Sequence, residues 1–509
     1  MNHNIYAPNV HLFAYHFQNN KNPSLLYEKC DEILAKLKID NFNLQQRIEL
    51  KKAPEQTRVD LLKDEEISRN NNPSPPFNGE VFLEDRAIKF EGFAYPLRIH
   101  DSYALALNIR RPEKDEKKQK TEDIDLALLK QFNPDNCLLP DFITSSLGQT
   151  LLITAWLPEE QRQDYCDFWQ LPDELQADKD IFLRLADDCI NALISDPQKR
   201  PQFYRKGQLF GSPIFEYGDL SQNTDYKHIL VWLFCNQEAD KKLGECYQDL
   251  INLFFYTNKI IRSYHDSRLI YQAIKILYEK IERDIEHTEK VTEKISLLDE
   301  EDLKKLQIKL KDFAKIAPEY ARRLRDLEEK RHTIAINARN YTEKLKVISK
   351  TIEGEYSSFL GNDLSFLESF RKNCRHFQEQ IQADLGYAVP GSKLLDRAIA
   401  SIRGIVEIDR AERDRQQEDR DKERDRDLQI ALAAIGTGIS VSGIVASGST
   451  YVVDSNNKIQ MPWSPSASFS PHPFTLWVLF SILLGFVSAG IVLLLRSLCR
   501  WYSKRTTHQ

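Results

Sequence analysis

The stretch DRQQEDRDKERDRDLQIALAAIGTGISVSG, Asp414 to Gly443, changes character in one step between Asp427 and Leu428. Residues 409–427 hold nine acids, seven bases, two Gln and Ala411 as their one apolar residue. Asp409–Arg413 and Glu418–Lys422 lie four apart with the acid first, the order that supports an exposed helix. From Leu428 to Val453 there are 26 residues without a charge, and Phe474 to Leu495 adds 22 more. A bilayer core takes about 20 apolar residues in a helix. The chain is therefore expected to end in a two-helix transmembrane hairpin, with spans at 428–450 and 474–495. The second span is strongly apolar, while the first is rich in Gly, Ala and Ser, which suits close helix packing inside a membrane.

Flanking charge sets the expected orientation. Seven bases precede the first span, and Arg496, Arg500, Lys504 and Arg505 follow the second, whereas Gly448 to Pro473 carries Lys458 and Asp454 alone. The positive-inside rule places both termini in the cytoplasm and the connecting loop outside. Trp477, Trp501 and Tyr502 fit interfacial anchors. The N-terminal MNHNIYAPNV has neither a basic nor an apolar leader region, so no secretory signal is expected there. The localisation read from this is an integral protein of a bacterial inner (plasma) membrane, with its bulk in the cytosol.

That bulk divides by pattern. Residues 1–260 read as an α/β domain: 9–17, 86–99, 102–110, 150–157 and 228–236 are short, aromatic and branched, as strands are, and 23–39 and 181–195 carry helical spacing. The polar stretches 63–80 and 112–123 read as solvated loops. Residues 261–390 read as an antiparallel helical coiled-coil region. Its clearest seam is Leu303, Leu306, Leu310, Phe313, Ala317 and Tyr320, continuing to Ile352 in steps of three and four with a break at Arg331. Pro318 is a possible kink there. Turns are expected at 296–302 and 356–363, and a break at GYAVPGS, 386–392. A charged stalk helix, 391–427, then leads into 428–509, the membrane region with its basic tail.

The composition excludes several classes. With 70 Lys+Arg against 76 Asp+Glu, the formal charge of -6 gives no reason to expect nucleic acid. The eight cysteines include no CxxC pair, and their apolar settings suit reduced cytosolic thiols. No phosphate loop, dinucleotide fingerprint, zinc-protease helix, calcium loop or nucleophile elbow occurs. His11 and His16 alternate to opposite faces of their strand and cannot form one site. The reading is of a protein that is not an enzyme, with no cofactor and no assigned metal.

The first span has internal structure. Gln429, Ala433, Gly436, Ser440, Gly443 and Ser447 follow four–three steps and make a small, polar stripe. Such a face serves either close helix packing or the wall of a wettable pore. The neighbouring stripe is Leu428, Leu432, Ile435, Ile439 and Ser442. It continues down the helix into acids, among them Glu418, Asp421 and Asp425, whereas the small stripe continues into Arg415, Asp419, Lys422 and Arg426. A pore lined by the first would open on a mixed or basic vestibule. One lined by the second would have an acidic vestibule below a hydrophobic gate. Periodicity leaves both open. Asp454, Asn456 and Asn457 are candidate oxygen donors at the outer mouth.

The arrangement of cytosolic α/β domain, helical bundle, stalk helix joined to a first span at Asp427–Leu428, second span and basic tail RSLCRWYSKR (496–505) resembles the CorA-type two-span metal-ion channel superfamily. The MPW at 461–463 is similar to the Met-Pro pair of that family. The resemblance implies a homopentamer with the first span lining the pore and the second outside it. The family's Gly-Met-Asn signature is absent; ASGSTYVVDSNN (446–457) stands in its place, so magnesium selectivity is not implied. Two functions follow as expectations: a homo-oligomeric ion channel or pore gated by its cytosolic domain, with permeant ions and an unknown cytosolic ligand or partner protein, or a membrane-anchored coiled-coil sensor or scaffold without conduction.

Overall fold

The structure, a computed structural model, describes residues 4–39, 42–70, 73–83, 86–160, 162, 180–218, 227–292, 299–352, 364–447 and 473–506. They form two compact units, residues 1–287 with 311–397, and residues 288–310 with 398–509.

The first unit is built on a ten-stranded mixed sheet. In chain order its strands are β1 (Asn4–Phe17), β2 (Arg58–Asp60), β3 (Pro76–Leu83), β4 (Arg86–Ile99), β5 (Ser102–Arg110), β6 (Ile124–Asp125), β7 (Gly148–Trp156), β8 (Phe203–Leu209), β9 (Ser212–Tyr217) and β10 (His228–Phe234). The path runs β2-β4-β5-β1-β7-β10-β9-β8, with β3 also on β4 and β6 on β1. All described pairings are antiparallel except β7 with β10. The five strands expected from sequence are all present.

Both faces of the sheet centre are covered, which is why β5, β7 and β10 read as near-continuous apolar runs. On one face Val10, Leu12 and Ala14 join a core with helix α1 (Leu25–Lys36) and helix α2 (Asp180–Leu193). On the other face Phe13 and Tyr15 meet Phe254 and Phe255 of helix α3 (Gln237–Thr292), at ring distances of 5.2 and 5.6 Å. Burying side chains of this size contributes roughly 1.5–3 kcal/mol each.

Three further long helices follow: α4 (Glu300–Ile352), α5 (Ser365–Ser447) and α6 (Pro473–Thr506). The seam expected on α4 is its buried stripe; Phe313, Tyr320, Leu327, Ile334, Tyr341 and Ile348 are at most 2% exposed. The helix continues through Pro318. In the first unit, Tyr264 of α3 stacks on Phe377 of α5 at 4.0 Å, and Tyr341 of α4 donates to the Leu367 carbonyl at 2.8 Å.

Two sequence expectations are corrected. The break at 386–392 does not occur; α5 runs through Gly386, Pro390 and Gly391 as helix. Gly391 supplies the space that the rings of Tyr278 and Tyr320 occupy, and the Tyr320 hydroxyl donates to the Ala388 carbonyl at 2.6 Å. Packing thus holds a turn that Gly and Pro would open in isolation. The stretch 63–80 is not all loop either. It contains a helix, Asp64–Asn70, and the start of β3, which pairs along β4 and buries Phe77 against Phe42 at 5.7 Å. The expected turn at 356–363 and residues 296–298 of that at 296–302 lie outside the described residues, and 300–302 begin α4.

Among the described residues one helical segment, Trp477–Leu495 of α6, is long and apolar enough to cross a membrane, with a mean hydropathy of 2.7. Residues 428–447 continue α5 as helix.

Candidate functional site

In the second unit α5 and α6 meet at their smallest residues. A Cβ on Gly438 would lie 3.1 Å from the Gly485 carbonyl oxygen and 3.5 Å from Ala489 Cβ. A Cβ on Gly485 would lie 2.8 Å from the Gly438 carbonyl oxygen and 3.1 Å from Ser442 Cβ. Moving up α5 from Gly438 to Ser442 therefore moves down α6 from Ala489 to Gly485, so the pair is antiparallel. Ala434 and Ser481 are buried one turn away on either helix. Each helix presents three small residues at four-residue spacing, Ala434/Gly438/Ser442 and Ser481/Gly485/Ala489, the pattern that lets backbones approach within van der Waals contact.

This packing face shares Ser442 with the second stripe read from sequence and is otherwise distinct from both. At about 100° per residue, Gly438 taken as zero puts Gln429, Ala433, Gly436, Ser440, Gly443 and Ser447 within about 40° of the opposite side of the helix. All six are exposed in the single chain. Leu428, Leu432, Ile435, Ile439 and Ser442 lie on the flank, at about 40–120°. The first four of these are 57–67% exposed. The Ser440 hydroxyl donates to the Gly436 carbonyl at 2.7 Å and Thr437 to the Ala433 carbonyl at 2.7 Å, so these hydroxyls sit in the helix without a partner helix. The small residues of the first span were noted in the sequence, but the face of them that meets α6 was not.

Below the join, every residue from Arg410 to Arg426 is exposed. Asp409–Arg413 and Glu418–Lys422 form the expected pairs within the helix, at 2.8 and 2.7 Å. The hydrogen bond from Lys422 holds the Glu418 carboxyl below its ordinary range. Glu418, Asp421, Asp425, Lys422 and Arg426 thus stand on a helix that its own unit leaves uncovered. Asp454, Asn456, Asn457 and residues 461–463 lie outside the described residues.

Sequence reading missed a buried polar chain in the first unit. Asn258 donates to Thr150 Oγ1 at 2.9 Å, Thr150 Oγ1 meets His228 Nδ1 at 2.8 Å, and His228 Nε2 meets Glu216 at 3.0 Å. The other Glu216 oxygen pairs with Arg205, whose guanidinium donates onward to the Phe366 carbonyl at 3.1 Å and to the Ser369 hydroxyl of α5. Burial pushes the Glu216 carboxyl up, and His228 and Arg205 more than offset it, leaving it below the ordinary carboxylate range. The Arg205 guanidinium also lies 4.3 Å from the centre of the Phe366 ring, which occupies the space beside Gly207. The polar chain therefore ties four strands of the sheet, β7, β8, β9 and β10, and α3 to the start of α5. Its members are spread from residue 150 to 369, with no local motif to announce them.

His11 and His16 are both buried and separate. His11 Nδ1 lies 3.0 Å from Asn108 Nδ2 and 3.3 Å from the Tyr247 hydroxyl, and burial pushes its pKa down to about 3, with Arg110 adding to the shift. His16 accepts from the Ser146 amide at 3.1 Å. Cys30, Cys137, Cys189, Cys246 and Cys374 are buried free thiols. Among the described residues no three His, Cys, Asp or Glu side chains are grouped to hold a metal.

No family model and no curated protein matches the chain. A solved structure of the full-length CmaX protein is 13% identical to it, with a TM-score of 0.19; the match covers 68% of this chain and 89% of that one. At that score the two do not define a common fold.

Proposed function

We propose that the chain is a homo-oligomeric membrane ion channel, CorA-like in architecture, in which residues 428–450 and 474–495 span the membrane and the cytosolic units gate the pore. The observation that carries this reading is the position of α6. It packs on the Gly438 face of α5 and leaves the stripe Gln429, Ala433, Gly436, Ser440, Gly443 and Ser447 on the far side. In a bilayer that stripe would set the Gln429 amide and a face of small residues against lipid tails, a costly place for an amide, while Ser440 is already satisfied by the Gly436 carbonyl. Facing an axis shared by several copies, it meets water instead. The first span then lines the pore, the second lies outside it, and Leu428, Leu432, Ile435 and Ile439 turn toward the next copy.

Both termini lie on the cytoplasmic side in this reading, following the flanking basic residues. The chain Asn258–Thr150–His228–Glu216–Arg205–Ser369 supports the gating half of the proposal, since it joins the sheet to the helix that enters the membrane. The absent Gly-Met-Asn signature favours a second reading, a membrane-anchored scaffold without conduction.

Flux through vesicles reconstituted with purified full-length chain separates the two. The channel reading expects ion flux that Ser440→Leu lowers at least tenfold by blocking the stripe with an apolar side chain. Vesicles that stay tight with wild-type protein under every ionic condition leave the scaffold. Flux unchanged in Ser440→Leu removes this stripe from the pore.

A further inference from the structure

We propose that the charged segment 410–426 is the contact surface between copies of this chain, with the acidic stripe of each copy set against the basic stripe of the next. This rests on the oligomeric reading above and deepens it by naming the residues that join neighbouring copies.

The starting point is the exposure of every residue from Arg410 to Arg426, some five turns of helix that no described residue of the second unit covers. The charges on it are not mixed at random. Asp414, Glu418, Asp421 and Asp425 fall on one line of the helix, at about 100–160° from Gly438 at about 100° per residue. Arg415, Lys422 and Arg426 fall on the next line, at about 200–240°, with Asp419 at its edge at about 260°. The remaining circumference repeats the alternation, with Arg413, Arg420 and Arg424 among its bases and Glu412 and Glu423 among its acids. Adjacent stripes of opposite sign let Glu418 pair with Lys422 within the helix, and the same stripes offer complementary faces to a second copy.

The rotation of the helix then selects two of the stripes. α6 fixes the outer side at Gly438, so the side facing a common axis is at about 180°. In a closed ring of four to six parallel copies each helix sees its two neighbours at about 45–60° on either side of that direction. Those bearings fall on the acidic stripe to one side and on the basic stripe to the other. One copy therefore offers carboxylates where the next offers guanidinium and ammonium groups, a head-to-tail contact that repeats around the ring. Charge pairs of this kind set register and partner more than raw affinity, as flanking charges do in coiled coils. They also give the first span a fixed rotation, because stalk and span are one helix.

The test is the mass of the full chain in detergent at low salt, by native mass spectrometry or light scattering. Arg415→Glu, Lys422→Glu and Arg426→Glu together place acid against acid. The expected result is that the concentration at which copies separate rises at least tenfold. Adding Asp414→Arg, Glu418→Lys, Asp421→Arg and Asp425→Arg reverses both stripes and restores the wild-type mass. Reversing the outer bases Arg413, Arg420 and Arg424 to Glu disturbs the helix to the same degree and leaves the mass unchanged, which separates the contact from helix stability. A multimer that survives the first reversal, or is not restored by the second, overturns the stripe pairing while the oligomeric reading stands. A wild-type chain that is monomeric overturns both.

Discussion

Arg205 and Glu216 carry the same kinds of charge as the segment 410–426, and the two regions use them in opposite ways. Glu216 and His228 are 2% and 4% exposed, and each charge or polar atom meets a partner from another strand or helix. The pair 418–422 lies in solvent and 409–413 is half-buried at Asp409, and both reach no further than one turn of their own helix. Inside, removing one partner strands the others without water. Outside, water and salt replace a lost partner at once. Charge is thus structural in the first unit and, in the second, available for contact with something outside the chain.

This contrast is broken most severely at Glu216. Glu216→Ala leaves Arg205 and His228 without their carboxylate, and is expected to cost about 3–5 kcal/mol in chemical denaturation. A loss below about 1 kcal/mol would mean that the chain of contacts is not structural. Acid probes the same interior. The folded pKa of His11, about 3, lies below its ordinary 6.5, so as pH falls the unfolded state takes up the proton first. Stability is full above pH 6.5 and falls as pH drops toward 3, by a few kcal/mol. The lowered Glu216 carboxyl acts in the same direction at its own, lower range. Thermal unfolding followed from pH 7 to 4 should show the decline, and His11→Asn should flatten it.

At the helix pair, Gly485→Val sets side-chain atoms against the Gly438 backbone and is expected to cost about 1–3 kcal/mol of hairpin stability, read as protease access in detergent. The mildest change is Lys422→Ala. Its partner Glu418 returns to water, and the temperature at which the sheet unfolds should not move. A clear drop there would show that the charged segment is bound to its own chain after all.

The wide, regular features were legible in the sequence. β1, β4, β5, β7 and β10 announce themselves as apolar runs, and the α4 seam as a three–four repeat, because a side chain's face is fixed by period alone. GYAVPGS misled, since Gly and Pro lower local helix propensity by about 1 and 3 kcal/mol while the Tyr278 and Tyr320 packing that overrides them comes from over 60 residues away. β3 escaped notice because its polar residues are held by pairing with β4 rather than by burial. The site was half visible: the two stripes of the first span were read from periodicity, but the face that meets α6 was not.

The sequence by itself determined where charge ends and apolar chain begins, which residues share a line along each helix, and the order of charged stripes around residues 410–426. Those are properties of one helix and need nothing beyond its 3.6-residue turn. Only the tertiary structure decided the rotation, because a helix has no preferred side until another backbone takes one. Gly438 and Gly485 take it by leaving no room for a side chain between them, and the polar stripe lies opposite.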